Sequence, residues 1–119
     1  MSLSTGVNRL IPHILLTDDL GWNDLSFHGG CDYETPNLDS LAEDALHLNN
    51  YYVQHYCTPT RSALMSGRYP IHDGLQDMVI QSYSPYGLNL TINTLADEMK
   101  RAGYNTHMLG YTLTITLSE

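Results

Sequence analysis

Proline and glycine decide where this chain can be helical, and that decision limits every other segment. Residues 57–68 read CTPTRSALMSGR. Proline has no N–H to donate and is tolerated in a helix only near its start, whereas glycine suits the left-handed residue that ends one. The pattern predicts a helix from Pro59 at the first helical position to about Ser66, with Gly67 just past the end. Thr35 and Pro36 predict a second start, and Leu38, Leu41, Ala42 and Ala45 follow at helical spacing over 36–46. Thr94 with Asp97 predicts a capping box for a third helix, apolar at Leu95, Met99 and Ala102 and stopped by Gly103.

Short apolar or alternating runs separate these helices. LIPHILLT, residues 10–17, predicts a buried strand that ends in the turn-like DDLGWND. HLNNYYV at 47–53 is β-prone, YNTHML at 104–109 is a further strand candidate, and YTLTITLSE at 111–119 has a period of two. Residues 22–35 read as loop. Residues 69–90, rich in Tyr, Gly and Pro, read as a long loop, which in a compact domain has a binding role or is packed by other elements. Strand–helix alternation predicts an α/β layer with a parallel sheet.

With 119 residues, 1–119 is one domain's length, and 42% hydrophobic residues separate it from disordered chains. Thirteen acids against five bases give a net charge of −8. That excludes a basic stripe for a nucleic-acid backbone and leaves divalent cations as compatible partners. Two cysteines, Cys31 and Cys57, are too few for a disulfide framework. No run reaches the roughly 18 apolar residues of a membrane span. The first twenty residues show no basic region leading into a long apolar one, so no export signal is visible. Asn89 opens the triplet NLT, which fits the N-glycosylation pattern and equally an ordinary loop.

Asp18 and Asp19 follow the first strand candidate. Ligands of open α/β sheets sit beyond the carboxyl ends of strands, and two adjacent carboxylates repel unless a cation is shared. Their hard oxygens suit Ca²⁺ or Mg²⁺; a solvated turn accounts for them equally. Pro59 at the first helical position would place Cys57 just outside the helix N-terminus, where backbone N–H groups and the dipole attract anions and lower a thiol's pKa. Arg61 lies about one turn in and Arg68 seven residues further, near the same face. Together they could hold a tetrahedral oxyanion, against the alternative of a buried cysteine beside two surface arginines. His28 with Cys31 and His55 with Cys57 could form a tetrahedral zinc site, although the spacing departs from common zinc patterns. His13, His47, His72 and His107 read as packed or surface histidines.

The stretch 57–68 resembles the sulfatase signature, C-x-P-x-R followed by a small-and-leucine helix turn and G-R. The likeness is strongest to the arylsulfatase B-like branch. PHILLTDDLGWNDLSFHG, TPNLDSLAEDALHLNNYYVQ, RYPIHDGLQ and YGLNLTINTLADEMKRAGYNTHMLG agree with it, so the resemblance runs from about residue 11 to 110. It implies the N-terminal part of an alkaline-phosphatase-like α/β/α catalytic domain with a mostly parallel sheet. Cys57 would be oxidised to formylglycine by the formylglycine-generating enzyme. The hydrated aldehyde would attack the sulfur of a sulfate ester, and its second hydroxyl would help expel sulfate. Asp18 and Asp19 match two Ca²⁺ ligands, the ion also touching residue 57. Arg61 matches the arginine that stabilises the hydrate, and Pro59 and Arg68 belong to the structural motif. Thr60 stands where serine is usual. The implied partners are a sulfated small molecule or glycan, and the implied location is the secretory pathway, lysosome or cell exterior.

Residues 111–119 depart from that pattern. Tyr111 stands at a lysine position, and the tryptophan and histidine that should follow are not visible. The later calcium and sulfate ligands also find no match. A calcium site with two carboxylates alone is weak, and a truncated sheet leaves uncovered faces. The expectation is a fragment of a sulfatase, inactive and marginally stable alone. Alternatives are a genuine short, non-catalytic product and a phosphate or phosphonate ester hydrolase of the same superfamily.

Overall fold

The computed structural model describes residues 10–30 and 32–110. The chain divides into two units, Met1–His47 and Leu48–Glu119.

In the first unit, single-turn 3₁₀ helices at Trp22–Asp24 and Ser26–His28 precede helix α1, Pro36–Glu43. Thr35 is the N-cap residue, but its hydroxyl does not cap a backbone N–H. It donates instead to Asp39 Oδ1 at 2.8 Å and accepts from the Ser26 N–H at 3.0 Å. The Ser26 hydroxyl donates to Asp39 Oδ2, and the Phe27 N–H donates to Oδ1 at 3.2 Å. The Ser26 hydroxyl is the main reason the Asp39 carboxyl is held below its ordinary pKa, with Thr35 and the Phe27 amide adding to it and partial burial opposing. This polar knot ties the start of α1 to the preceding turn.

Helix α1 stops at Glu43, short of the expected residue 46. The Ala45 N–H turns back to the Ala42 carbonyl at 3.1 Å, and His47 Nε2 lies 2.8 Å from the same oxygen. These local partners satisfy a terminal carbonyl that another helical turn would have used. His28 is also committed locally: its ring stacks on Trp22 at 3.8 Å, with Nδ1 2.6 Å from the Trp22 carbonyl oxygen. Cys31, its partner in the zinc reading, lies outside the described residues.

The second unit carries helix α2, Cys57–Ser66, a 3₁₀ turn at Pro70–His72 and helix α3, Leu95–Arg101. The expected capping box at α3 forms. Thr94 Oγ1 accepts from the Asp97 N–H at 3.3 Å, and Asp97 Oδ2 accepts from the Thr94 N–H at 2.8 Å. Gly103, at φ 86°, takes the left-handed conformation, and the Tyr104 N–H returns to the Met99 carbonyl at 3.0 Å. The long loop is packed. Its Leu75, Ile80 and Leu88 make a buried apolar cluster, joined by Met65 of α2 and by Ile92. Each such aliphatic side chain contributes roughly 1.5–3 kcal/mol on full burial.

No strand forms among the described residues, which corrects three expectations. Residues 10–17, 47–53 and 104–109 join no ladder, and Leu10, Leu15, Tyr52 and Leu109 are between 79% and 98% exposed. A strand exists only through hydrogen bonds to a neighbour, and parallel neighbours come from distant sequence. Apolar patterning alone therefore does not create a sheet here. The tail expected as a strand, 111–119, lies outside the described residues. No helix of the described residues is long and apolar enough to cross a membrane.

Candidate functional site

Helix α2 starts two residues earlier than the proline implies. Tyr56 is the extended N-cap, and the Thr60 N–H donates to its carbonyl at 3.1 Å. Cys57 is thus the first helical residue and Pro59 the third. The correction has a simple cause: none of the first-turn N–H groups has an intrahelical acceptor, so proline is harmless at any of those positions. Cys57, half-buried, stands inside the first turn at the positive end of the helix dipole.

The turn around Cys57 is held by hydroxyls. Thr58 is fully buried, and its Oγ1 accepts from the Ile80 N–H at 3.0 Å. The Thr60 hydroxyl donates to the Gln54 carbonyl at 2.8 Å, tying the helix to the segment that enters it. Ser62, also fully buried, donates to the Pro59 carbonyl at 3.1 Å. Pro59 is buried too. The start of α2 is therefore fixed by polar contacts and by the loop that covers it.

Arg61 is four residues after Cys57, on the same helix face, and half-buried. Arg68 is not on that face. Helix α2 ends at Ser66, and Gly67 adopts φ 67°, with its N–H on the Ala63 carbonyl at 2.8 Å. That reversal takes Arg68 out of the helix, and its Nη1 lies 4.0 Å from Asp73 Oδ1. The idea that both arginines serve one oxyanion from one face is thus corrected. Ser66 donates to the Ser62 carbonyl at 2.7 Å and approaches Asp73 Oδ2 at 3.4 Å.

Asp18 and Asp19 are adjacent exposed residues in a bend of the first unit. Asp19 has φ 54°, the left-handed region that Asp and Asn enter more readily than other side-chain residues. The bend offers carboxylate oxygens, the donor type that hard divalent cations take. His55 tilts against Tyr56 with ring centroids 4.4 Å apart.

Sequence patterning did not single out Thr58, Ser66 or Asp73. Thr58 looks like a spacer between Cys57 and Pro59, and only the fold shows its hydroxyl meeting a backbone amide 22 positions away. For Asp73 the available signal was an acid close after Arg68, which is too common to use alone.

Comparison with known proteins gives a consistent result. The Sulfatase family model matches residues 14–118. Arylsulfatase J of Mus musculus is 46% identical over 101 residues, covering 83% of this chain and 17% of that protein. Arylsulfatase A of Homo sapiens is 41% identical over 102 residues, covering 83% and 20%. N-acetylgalactosamine-6-sulfatase of Homo sapiens is 35% identical over 105 residues, covering 82% and 20%. The chain thus spans about a fifth of the length of these relatives. No solved structure matches it.

Proposed function

Because the chain belongs to the sulfatase family, we propose that residues 1–119 are the N-terminal part of a sulfatase catalytic domain that hydrolyses sulfate esters. The family implies an alkaline-phosphatase-like α/β fold. The mostly parallel sheet of that fold is part of this proposal. The observation that carries the reading is the placement of the C-T-P-T-R segment, with Cys57 as the first residue of a helix whose start is locked by buried hydroxyls.

Cys57 is the residue converted to formylglycine, which supplies the attacking oxygen as a hydrated aldehyde. The N-terminus of α2 favours negative charge at position 57 through its backbone amides and dipole. Arg61, one turn on, adds a fixed positive charge on the same face, placed for the charge that develops as sulfur is attacked. Asp18 and Asp19 would supply two carboxylate ligands to Ca²⁺, and residue 57 would also touch the ion, which would supply positive charge for the sulfate. Pro59 and Arg68 are the structural part of the motif, Pro59 in the first turn of α2 and Arg68 beside Asp73 just past its end. The substrate class is an aryl sulfate or a sulfated glycan amino sugar. The location is the secretory pathway, lysosome or cell exterior, where the formylglycine-generating enzyme is a maturation partner. Alone, the chain holds too few cation ligands to turn over substrate.

The test uses the protein at full family length, expressed in cells that make formylglycine. Expected are turnover of an aryl sulfate ester, little turnover of the matching phosphate ester, and loss of activity in Cys57→Ser. The peptide carrying residue 57 should show sulfur replaced by oxygen with two hydrogens fewer. A protein converted at Cys57 that ignores sulfate esters and cleaves phosphate esters would overturn the reading.

A further inference from the structure

The turn at Asn89 has a geometry that its role in packing does not require. The Ile92 N–H donates to the Asn89 carbonyl at 3.1 Å and closes the turn. Both stems are anchored: Leu88 belongs to the buried cluster, and Ile92 packs against it. The tip faces outward, with Asn89 and Thr91 exposed and Leu90 77% exposed. Asn89 Oδ1 accepts from the Thr91 N–H at 3.0 Å and from the Thr91 hydroxyl at 2.9 Å. Both contacts use the amide oxygen, and Nδ2 makes no hydrogen bond among the described residues. Asn89-Leu90-Thr91 is also the one Asn-x-Ser/Thr triplet in the chain.

We propose that Asn89 is an N-glycan acceptor. The two residues that the acceptor triplet requires are in direct contact at an exposed turn tip, and the amide nitrogen that must react makes no hydrogen bond among the described residues. In the transfer, Nδ2 bonds to C1 of an oligosaccharide carried on a lipid pyrophosphate. The C1–O bond to the pyrophosphate breaks, Nδ2 loses one proton to a base of the transferase, and the lipid pyrophosphate departs. A glycan there occupies solvent beyond the turn tip and displaces no member of the Leu75–Ile80–Leu88 cluster. Leu90, a large apolar side chain in water, lies beside the attachment point. This inference goes beyond the proposed sulfatase activity and shares with it only passage through the secretory lumen.

The experiment expresses the full chain behind a cleavable secretion signal in animal cells. Signal-cleaved product is treated with a peptide N-glycosidase in heavy-oxygen water, and the tryptic peptide 69–100 is sequenced by mass spectrometry. Expected is heavy-labelled Asp at position 89, absent in Asn89→Gln and Thr91→Ala and retained in Thr91→Ser. Because transfer acts on nascent chain, a folding defect in a variant does not mimic loss of the acceptor. Unmodified Asn89 in signal-cleaved product overturns the proposal. The state of Cys57, read from the peptide ending at Arg61, reports separately on the sulfatase reading: conversion there with bare Asn89 sinks only the glycan.

Discussion

The backbone N–H of Ile80 donates to the hydroxyl oxygen of Thr58 at 3.0 Å, and both residues are buried. One side chain, adjacent to Cys57, thereby pins the long loop to the first turn of α2. Thr58→Val keeps the shape and removes the acceptor, leaving a buried amide unpaired at a cost of about 1–3 kcal/mol. Thr58→Ser restores the oxygen and should recover most of it. Hydrogen exchange at the Ile80 amide checks this: protection should fall in the valine variant and persist in the serine variant. Equal protection in both would mean that packing, not the hydroxyl, holds the loop.

Asp73 and Arg68 predict an asymmetry. The Asp73 side chain is 2% exposed and Arg68 is 55% exposed, so their 4.0 Å ion pair is screened on one side only. Arg68→Ala should cost no more than about 1 kcal/mol, as exposed ion pairs do. Asp73→Ala also removes the acceptor facing Ser66 Oγ and leaves a gap, which should cost about 1–3 kcal/mol. Denaturant midpoints of the two variants decide it, and a larger loss from Arg68→Ala would invert the assignment of which group is structural.

Local signals were legible in the sequence and distant pairings were not. The Thr94–Asp97 box and the Gly67 and Gly103 stops are set by neighbouring residues, and each formed where the pattern placed it. Pro59 misplaced the start of α2 because proline marks the first turn and not its first residue. Leu10, Ile14 and Leu15 have the composition of a buried strand, but the neighbours that would pair with them are not specified by that run itself. The chemistry proposed for Cys57, Arg61, Asp18 and Asp19 rests on residue types and on the family resemblance. The hydroxyls that position α2, from Thr58 and Ser62, became visible only with the fold, since their partners depend on how the chain bends.

Asp39 predicts an acid-sensitive start for α1. Its carboxyl is held below its ordinary value of 3.8 by the Ser26 and Thr35 hydroxyls and the Phe27 amide. A depressed folded-state value means the contribution is complete above 3.8 and is lost as pH falls through the lower, folded value. A carboxyl chemical-shift titration should place the Asp39 midpoint below 3.8, and Ser26→Ala should move it upward. A midpoint at or above the ordinary value would show that the Ser26–Thr35–Asp39 knot does not persist in solution.

Asp19 carries two demands at once, and substitutions can separate them. Its backbone sits at φ 54°, which Asn tolerates nearly as well as Asp, whereas Ala pays about 1 kcal/mol for the left-handed conformation. In the proposed calcium site its carboxylate is one of two that the bend would offer, and calcium affinity follows the charge and number of oxygen ligands. In the protein at full family length, Asp19→Asn should leave the metal-free thermal midpoint nearly unchanged and weaken calcium binding by tenfold or more. Asp19→Ala should lose both. Asp19→Gly should keep or raise metal-free stability while binding calcium as poorly as the alanine variant. Calorimetric calcium titration beside thermal unfolding in chelator reads the two effects independently. If Asp19→Asn binds calcium as the parent does, the bend is a turn that happens to be acidic, and the left-handed backbone alone explains why an Asp stands there.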